Sequence, residues 1–217
     1  MADKGKQRMR RLALLGASGH GKVVADVAEC IGWEQVEFFD DSWPAKKRIG
    51  HWNISGGSAA LIDRISEFDG LIVSIGNCAV RMQKQAELEA AGGIFATLAH
   101  PSSAVSRYAR LGRGTVIMAG AVINADAVIG DACIVNTGAS VDHDCELGNG
   151  VHVSPGARLA GNVIIGPGTW IGIGAVVRQG IKIGNEVIVG AGAVVVKPVA
   201  DSVVVVGCPA VAVNHES

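Results

Sequence analysis

From Val105 onward the chain places an aliphatic residue at every sixth position: Val105, Leu111, Ile117, Ile123, Ile129, Val135, Val141, Leu147, Val153, Leu159, Ile165, Ile171, Val177, Ile183, Val189 and Val195. Four residues after each the side chain is usually small or β-branched, as at Ala121, Cys133, Cys145, Ala157 and Thr169, and glycine often follows the aliphatic residue, as at Gly112, Gly130, Gly148 and Gly166. A period of six is neither the 3.6 of a helix nor the two of a lone strand. It suits short strands joined by turns and stacked as a solenoid, with the aliphatic residues inside and glycines easing the corners. Three hexads per triangular coil would set residues eighteen apart directly above one another, giving about five coils over residues 105–195. The competing architecture, a β-sandwich, has strands recurring at about 8–12 residues.

Residues 11–99 lack this period. Segments 12–15, 36–39 and 71–75 read as strands, 22–30 and 80–91 as helices, and 16–21, Gly-Ala-Ser-Gly-His-Gly, as the loop between the first strand and the first helix. That order is a βαβ unit, in which loop amides and a helix N-terminus can cradle a phosphate. Asp40 and Asp41 end the second strand about 20 residues beyond the loop, where a carboxylate can accept ribose hydroxyls. The loop spacing is GxxGxG, not the dinucleotide GxGxxG, so the loop alone equally suits a tight turn in an ordinary α/β unit. The expected organisation is a disordered tail over 1–10, a Rossmann-like α/β domain over 11–99, a β-helix over 100–198 and a C-terminal tail over 199–217.

With 217 residues and 49% hydrophobic content the chain can build a real core, and a formal net charge of −1 gives no basic face for nucleic acid or an anionic membrane. The apolar run after Arg8, Arg10 and Arg11 is too short for a signal segment, and no stretch approaches the roughly 20 apolar residues that span a bilayer. Five widely spaced cysteines without a CxxC pair suggest neither a disulfide framework nor a zinc site, and fit reduced thiols in a cytoplasmic protein. No His, Asp or Glu cluster has the spacing of a metal site.

Among six histidines, His143 stands two residues after interior Val141 and between Asp142 and Asp144, and His152 stands five after interior Leu147, so both point out of the core. His51, His100 and His215 read as ordinary residues. Cys133 and Cys145 occupy interior positions, so no cysteine has the partners of a nucleophile.

Taken together, GASGHGKVVADV, the Phe39-Asp40-Asp41 strand end, SIGNCAVR, LAHPSSAVS, VIMAGAVINADAVIGD, VDHDC and GNGVHVSPGARLAGNV resemble the PglD/NeuD family of bacterial sugar acetyltransferases over about residues 11–210. The resemblance implies a left-handed parallel β-helix of hexapeptide repeats and a homotrimer with acetyl-CoA bound between subunits. It implies N-acetylation of the 4-amino group of a nucleotide-linked 4-amino-4,6-dideoxy sugar, UDP-linked ahead of GDP-linked, for glycan biosynthesis. Residue by residue, it assigns Ser18, Gly19 and His20 to the nucleotide phosphates, Asp40 and Asp41 to base and ribose, and Gly76 with Asn77 to the same pocket. It assigns His143 as base, Asp144 as its partner, and His152, Ile173 and Ala191 to coenzyme A. The family's bacillosamine-pathway enzyme is similar but has glutamate where this chain has Asp144.

An amine attacks a thioester only when unprotonated, so a histidine paired to a carboxylate supplies the needed base. Gly161, directly above His143, is expected to leave room for the pantetheine arm and to offer a nearby amide to the oxyanion. The rival readings are a sugar O-acetyltransferase of the sialic-acid type and a non-catalytic hexapeptide-repeat scaffold. An NAD-dependent oxidoreductase would leave the long repeat without a role.

Overall fold

The computed structural model describes residues 9–213. Most of the expected N-terminal tail, including Arg8, and the last four residues of the expected C-terminal tail, including His215, lie outside the described residues.

The first half runs β1 (Arg11–Leu15), α1 (Gly19–Cys30), β2 (Gln35–Phe39), a short hairpin of β3 (Arg48–Ile49) and β4 (Trp52–Asn53), α2 (Ser58–Asp63), β5 (Gly70–Val73) and α3 (Cys78–Ala90). Three strands form a parallel sheet in the order β2-β1-β5. Side chains alternate across a strand. Leu12 and Leu14 therefore join one buried cluster with Val24 and Val27 of α1, while Ala13 and Leu15 join a second with Phe39, Leu61 and Leu88. Helix α1 starts three residues before its expected beginning, so Gly19, His20 and Gly21 form its first turn instead of lying in a loop. The helix is tucked against the strand end so tightly that a Cβ on Gly21 would stand 2.5 Å from the Gly16 carbonyl oxygen. Strand β5 ends at Val73, two residues early, where Ser74 donates its hydroxyl to the Gly16 carbonyl at 2.7 Å.

The second half is a parallel β-solenoid of two-residue strands. Six stack on a first face, from Ala104–Val105 to Val194–Val195, and five on a second, from Arg110–Leu111 to Lys182–Ile183. The third face runs from Leu98–Ala99 through Val116–Ile117, Ile134–Val135, His152–Val153 and Trp170–Ile171 to Ile188–Val189, and Val204–Val206 and Val211–Ala212 extend it. About six coils result, one more than expected, because Leu98–Ala99 pairs with Val116–Ile117 and opens a rung ahead of Val105.

Each strand pair turns its second residue inward, so Ile123, Val141, Leu159 and Val177 fill one continuous core. The small hexad position carries a further device. Thr115 and Thr169 donate their hydroxyls to the Gly130 and Gly184 carbonyls, and Cys133 and Cys145 donate their thiols to the Gly148 and Ala160 carbonyls at 3.2 Å. These buried polar atoms are thereby satisfied. Burial pushes the Cys133 thiol up to about 12 and the Cys145 thiol upward, which makes both poor nucleophiles.

The two halves share a core. Leu98, Val116, Met118 and Ile134 of the third face pack in the same cluster as Leu12, Leu14 and the buried side of α1. The α/β half therefore sits on the third face, and the corner between the first and second faces lies across the solenoid from it.

Candidate active site

At most corners of the solenoid one turn residue adopts a left-handed backbone, filled by glycine, by Asp126, Asp144 and Asn162, which tolerate it well, and also by Ala132, Glu186 and Ser202. Asp144, at φ 57°, thus follows His143 on a sharp turn between the first and second faces. Its carboxylate lies 2.7 Å from His143 Nδ1. A carboxylate can only accept, so the proton sits on Nδ1 and Nε2 keeps its lone pair. Aspartate reaches the ring here without glutamate's extra methylene. The hydrogen bond to Asp144 raises the His143 pKa above its ordinary value, aided by the charges of Asp142 and Asp144. Asp142 does not touch the ring. Its Oδ1 accepts from the His143 amide and the Asn124 amide group, both at 2.8 Å. The His143 side chain is 61% exposed, open to a substrate.

Gly161 stands above His143, as the eighteen-residue register requires, but the space it leaves is already filled. A Cβ there would stand 2.6 Å from both Cε1 and Nε2 of His143, so the imidazole lies over the glycine and no pantetheine arm passes between them. This corrects the expected role of the gap: it seats the ring. Gly161→Ala is expected to swing the imidazole off its seat and lower kcat about 10²-fold, the lower end of what a positioned base contributes, with unfolding little changed. A steady-state assay beside a thermal melt checks this, and an alanine variant with wild-type kcat would refute it.

The remaining expected site residues gather around the α/β half. Ser18 is the N-cap of α1 and does not bond its side chain to the helix, and Gly19 faces open space. Its neighbour His20 is mostly buried, with no partner for Nε2, and burial, then the Arg81 charge, lowers its pKa to about 4, so it is neutral.

Asp40 and Asp41, expected to meet the base and ribose, both accept hydrogen bonds from neighbouring loops. Asp40 Oδ2 accepts from the Ala17 amide at 2.6 Å and Oδ1 from the amide and hydroxyl of Ser42. Burial opposes ionisation, but these bonds hold the Asp40 carboxyl below the usual range. Asp41 accepts from the amide and hydroxyl of Ser58 at 2.6 and 2.9 Å and so caps α2. Both carboxylates are occupied in shaping the loops, because each ends a strand where unpaired amides cluster. They still line one cleft of about 190 Å³ with Gly16, Ile75, Ser58 and Lys84.

Gly76 and Asn77 join β5 to α3, and Asn77 caps that helix by accepting from the Val80 amide at 3.0 Å. They line a cavity of about 520 Å³ with Cys78, Met82, His152 and Trp170. His152 stacks on Trp170 with ring centroids 6.0 Å apart, lies 3.2 Å from the Asn136 amide nitrogen, and is 6.4 Å from the His20 ring. Burial, then Arg81 and His20, lowers its pKa to about 3 against the pull of the Gly76 backbone. Although outward-pointing, His152 is a neutral, bonded histidine under the α/β half, which its hexad position could not reveal. Beyond it, an apolar groove of about 360 Å³ brings His152 together with Ile173, Ala191, Trp170 and Pro155.

The structure thus assembles two groups. His143, Asp144 and Gly161 share the corner between the first and second faces. Gly76, Asn77, His152, Ile173 and Ala191 line the third face and its edge, close to His20. Sequence reasoning missed Arg81, 1% exposed, whose guanidinium donates to the carbonyls of Ala132 (2.7 Å), Ile75 (2.8 Å), Gly76 (2.9 Å) and Gly150 (2.8 Å). An arginine within SIGNCAVR carries no sign of this; only its i, i+4 relation to Asn77 on the first turn of a helix hints that it faces the loop.

Comparisons with known proteins agree with the two-part fold. Residues 11–88 match the PglD N-terminal domain, and residues 126–161 and 162–197 match the bacterial transferase hexapeptide repeat. The acetyltransferase domain of PglB from Neisseria gonorrhoeae, solved with acetyl coenzyme A, is 40% identical, with a TM-score of 0.90 over 94% of this chain and 99% of that one. PerB from Caulobacter crescentus, solved with CoA and GDP-perosamine, is 37% identical, with a TM-score of 0.90 over 95% of this chain and 99% of that one. A UDP-N-acetylbacillosamine N-acetyltransferase from Bacillus subtilis is 38% identical over 113 residues, 51% of this chain, so the match spans about half (52%) of that protein's length.

Proposed function

This chain belongs to the PglD-type family of hexapeptide-repeat sugar N-acetyltransferases, and from that premise we propose that it transfers acetyl from acetyl-CoA to the amino group of a nucleotide-linked amino sugar. The observation that carries the chemistry is the His143–Asp144 pair with a free Nε2 on an exposed corner. His143 takes the amine proton through Nε2 as nitrogen attacks the thioester carbonyl, Asp144 steadies the imidazolium, an amide near Gly161 meets the oxyanion, and the thiolate of coenzyme A leaves. Ser18, Gly19, His20, Gly76 and Asn77 hold the sugar nucleotide over the third face, with Asp40 and Asp41 shaping the cleft for its base and ribose. His152, Ile173 and Ala191 border the cofactor.

The acceptor is a 4-amino-4,6-dideoxy sugar on UDP or GDP. Release of free thiol from acetyl-CoA with the UDP- and GDP-linked 4-amino sugars tests this: turnover with one of them, lost in His143→Ala, supports it, and no turnover with any amino sugar refutes it.

The base and the nucleotide pocket lie on opposite sides of one solenoid, so a homotrimer in which neighbours supply the two halves completes each site. Co-assembly of His143→Ala with Gly76→Leu, whose side chain would enter the open space before Gly76, tests this arrangement. Each variant alone is expected to be inactive, and random mixing to restore about a quarter of wild-type activity. Mixed assemblies as dead as their parents would show that each chain carries a whole site.

A further inference from the structure

The turn that carries His143 is held by more than its own backbone. Pairing of Val122–Ile123 with Ser140–Val141 sets Asn124 one rung below Asp142, and pairing of Ser140–Val141 with Arg158–Leu159 sets Ala160 one rung above. The Asp142 amide donates to the Leu159 carbonyl at 3.1 Å and the Asp144 amide to the Ala125 carbonyl at 3.2 Å, while the His143 carbonyl accepts from the Asn162 amide at 2.9 Å. Of the three amides in this turn, that of His143 has no backbone acceptor, and Asp142 Oδ1 takes it at 2.8 Å. The same oxygen accepts from Asn124 Nδ2 at 2.8 Å, which ties the turn to the rung below. One rung up, Ala160 has no side chain that could do the same.

The carboxylate also brings charge. The bond from Asn124, then that from the His143 amide, hold the Asp142 carboxyl below the usual carboxylate range, so it is ionised wherever the base works. No ion pair among the described residues neutralises it. The other charges around His143 are Asp144 on its own turn, Asp126 on the turn below, and Arg158 and Glu146 on the flanking strands, all exposed; the turn above, Ala160 to Asn162, carries none. As the amine proton moves to Nε2 the ring becomes an imidazolium, and a fixed negative charge close to it favours that state.

We propose that Asp142, braced by Asn124 from the rung below, is the positioning residue of the base: it fixes the turn on which His143 stands and sets a second negative charge beside the imidazolium. This rests on the reading of His143 as base given above. Asp144 and Asp142 thus divide the work. Asp144 bonds the ring and selects its tautomer, whereas Asp142 bonds the backbone and touches no reacting atom.

The pH profiles of two variants test it. Asp142→Asn keeps an oxygen for both donors and loses the charge, so the acid limb of kcat/KM is expected to move to lower pH, with the plateau within about twofold of the wild type. Asp142→Ala loses the oxygen as well, and kcat is expected to fall about tenfold, as when one hydrogen bond is removed. Asn124→Ala should lower kcat in the wild type and add nothing in Asp142→Ala, because it acts through that carboxylate alone. An unmoved limb in Asp142→Asn, or a wild-type kcat in Asp142→Ala, overturns the proposal. Asp142→Asn is isosteric, so its limb decides if the alanine variant fails to fold. If the wild type turns over no thioester, the functional reading fails, and the NMR titration of the His143 ring decides the inference, with His143→Ala assigning its signals: a lower midpoint in Asp142→Asn upholds it, and an equal midpoint overturns it.

Discussion

Replacing His143 with alanine is expected to lower kcat for acetyl transfer by roughly 10²–10⁴-fold, the range a positioned general base contributes, with KM for both substrates changed little. The side chain lies on an exposed corner outside the core, so the melting temperature should stay at the wild-type value. The pH profile carries the sharper signature. His143 works only when its Nε2 is unprotonated, and the bond to Asp144 favours the protonated ring, so the acid limb of kcat/KM should have its midpoint above the ordinary histidine value of 6.5. Activity is lost as pH falls through that midpoint. Asp144→Asn removes the charged acceptor that raises the pKa, so the limb should move to lower pH while the plateau drops, because the neutral amide can donate to Nδ1 and hold the ring in the other tautomer. A limb that stays in place in Asp144→Asn would remove His143 from the role of base.

Arg81→Leu is expected to destabilise the protein on the order of 3–5 kcal/mol, as a buried charge with a complete set of partners does when the set is broken. The guanidinium bonds two carbonyls of the β5–α3 loop and two of solenoid turns, and leucine would leave all four without it, those of Ala132 and Gly150 in the interior. Arg81→Lys would keep the charge yet fail, since one ammonium cannot reproduce the planar fork. The melting curve should drop and broaden as the α/β half releases from the third face. Removing the charge should also raise the His152 pKa, since Arg81 contributes to holding it near 3. Unfolding of Arg81→Leu at the wild-type midpoint would show that the apolar cluster alone joins the halves.

Much of the fold was legible because its information is local. Each hexad repeats the same choice of inward aliphatic, small residue and turn, so the register from Val105 to Val195 needs no knowledge of distant contacts. The βαβ unit was legible for the same reason, from apolar runs separated by a glycine loop. What escaped notice lacks a period: β3, β4 and α2 are short segments of mixed composition, and the early start of α1 follows from the fit of Gly21 against Gly16. Among the site residues, the pairing of His143 with Asp144 could be read from adjacency, but the seating of the ring over Gly161 could not, because it depends on the rotamer. Asp40 and Asp41 fell at the end of the strand as expected, while their capping of loops depends on Ser42 and Ser58, whose positions follow from the path of the chain between α1 and β5.

The sequence by itself determined the solenoid, its inward column, the α/β half before it and the adjacency of His143 and Asp144, because periodicity and adjacency act over a few residues. Only the tertiary structure decided which outward residues meet. It laid the α/β half on the third face, buried Arg81 as the bolt between the halves, turned His152 into a neutral bonded histidine and left His143 on the opposite corner. These are outcomes of packing between segments 50 to 100 residues apart, where burial, desolvation and shape select one arrangement that no local pattern encodes.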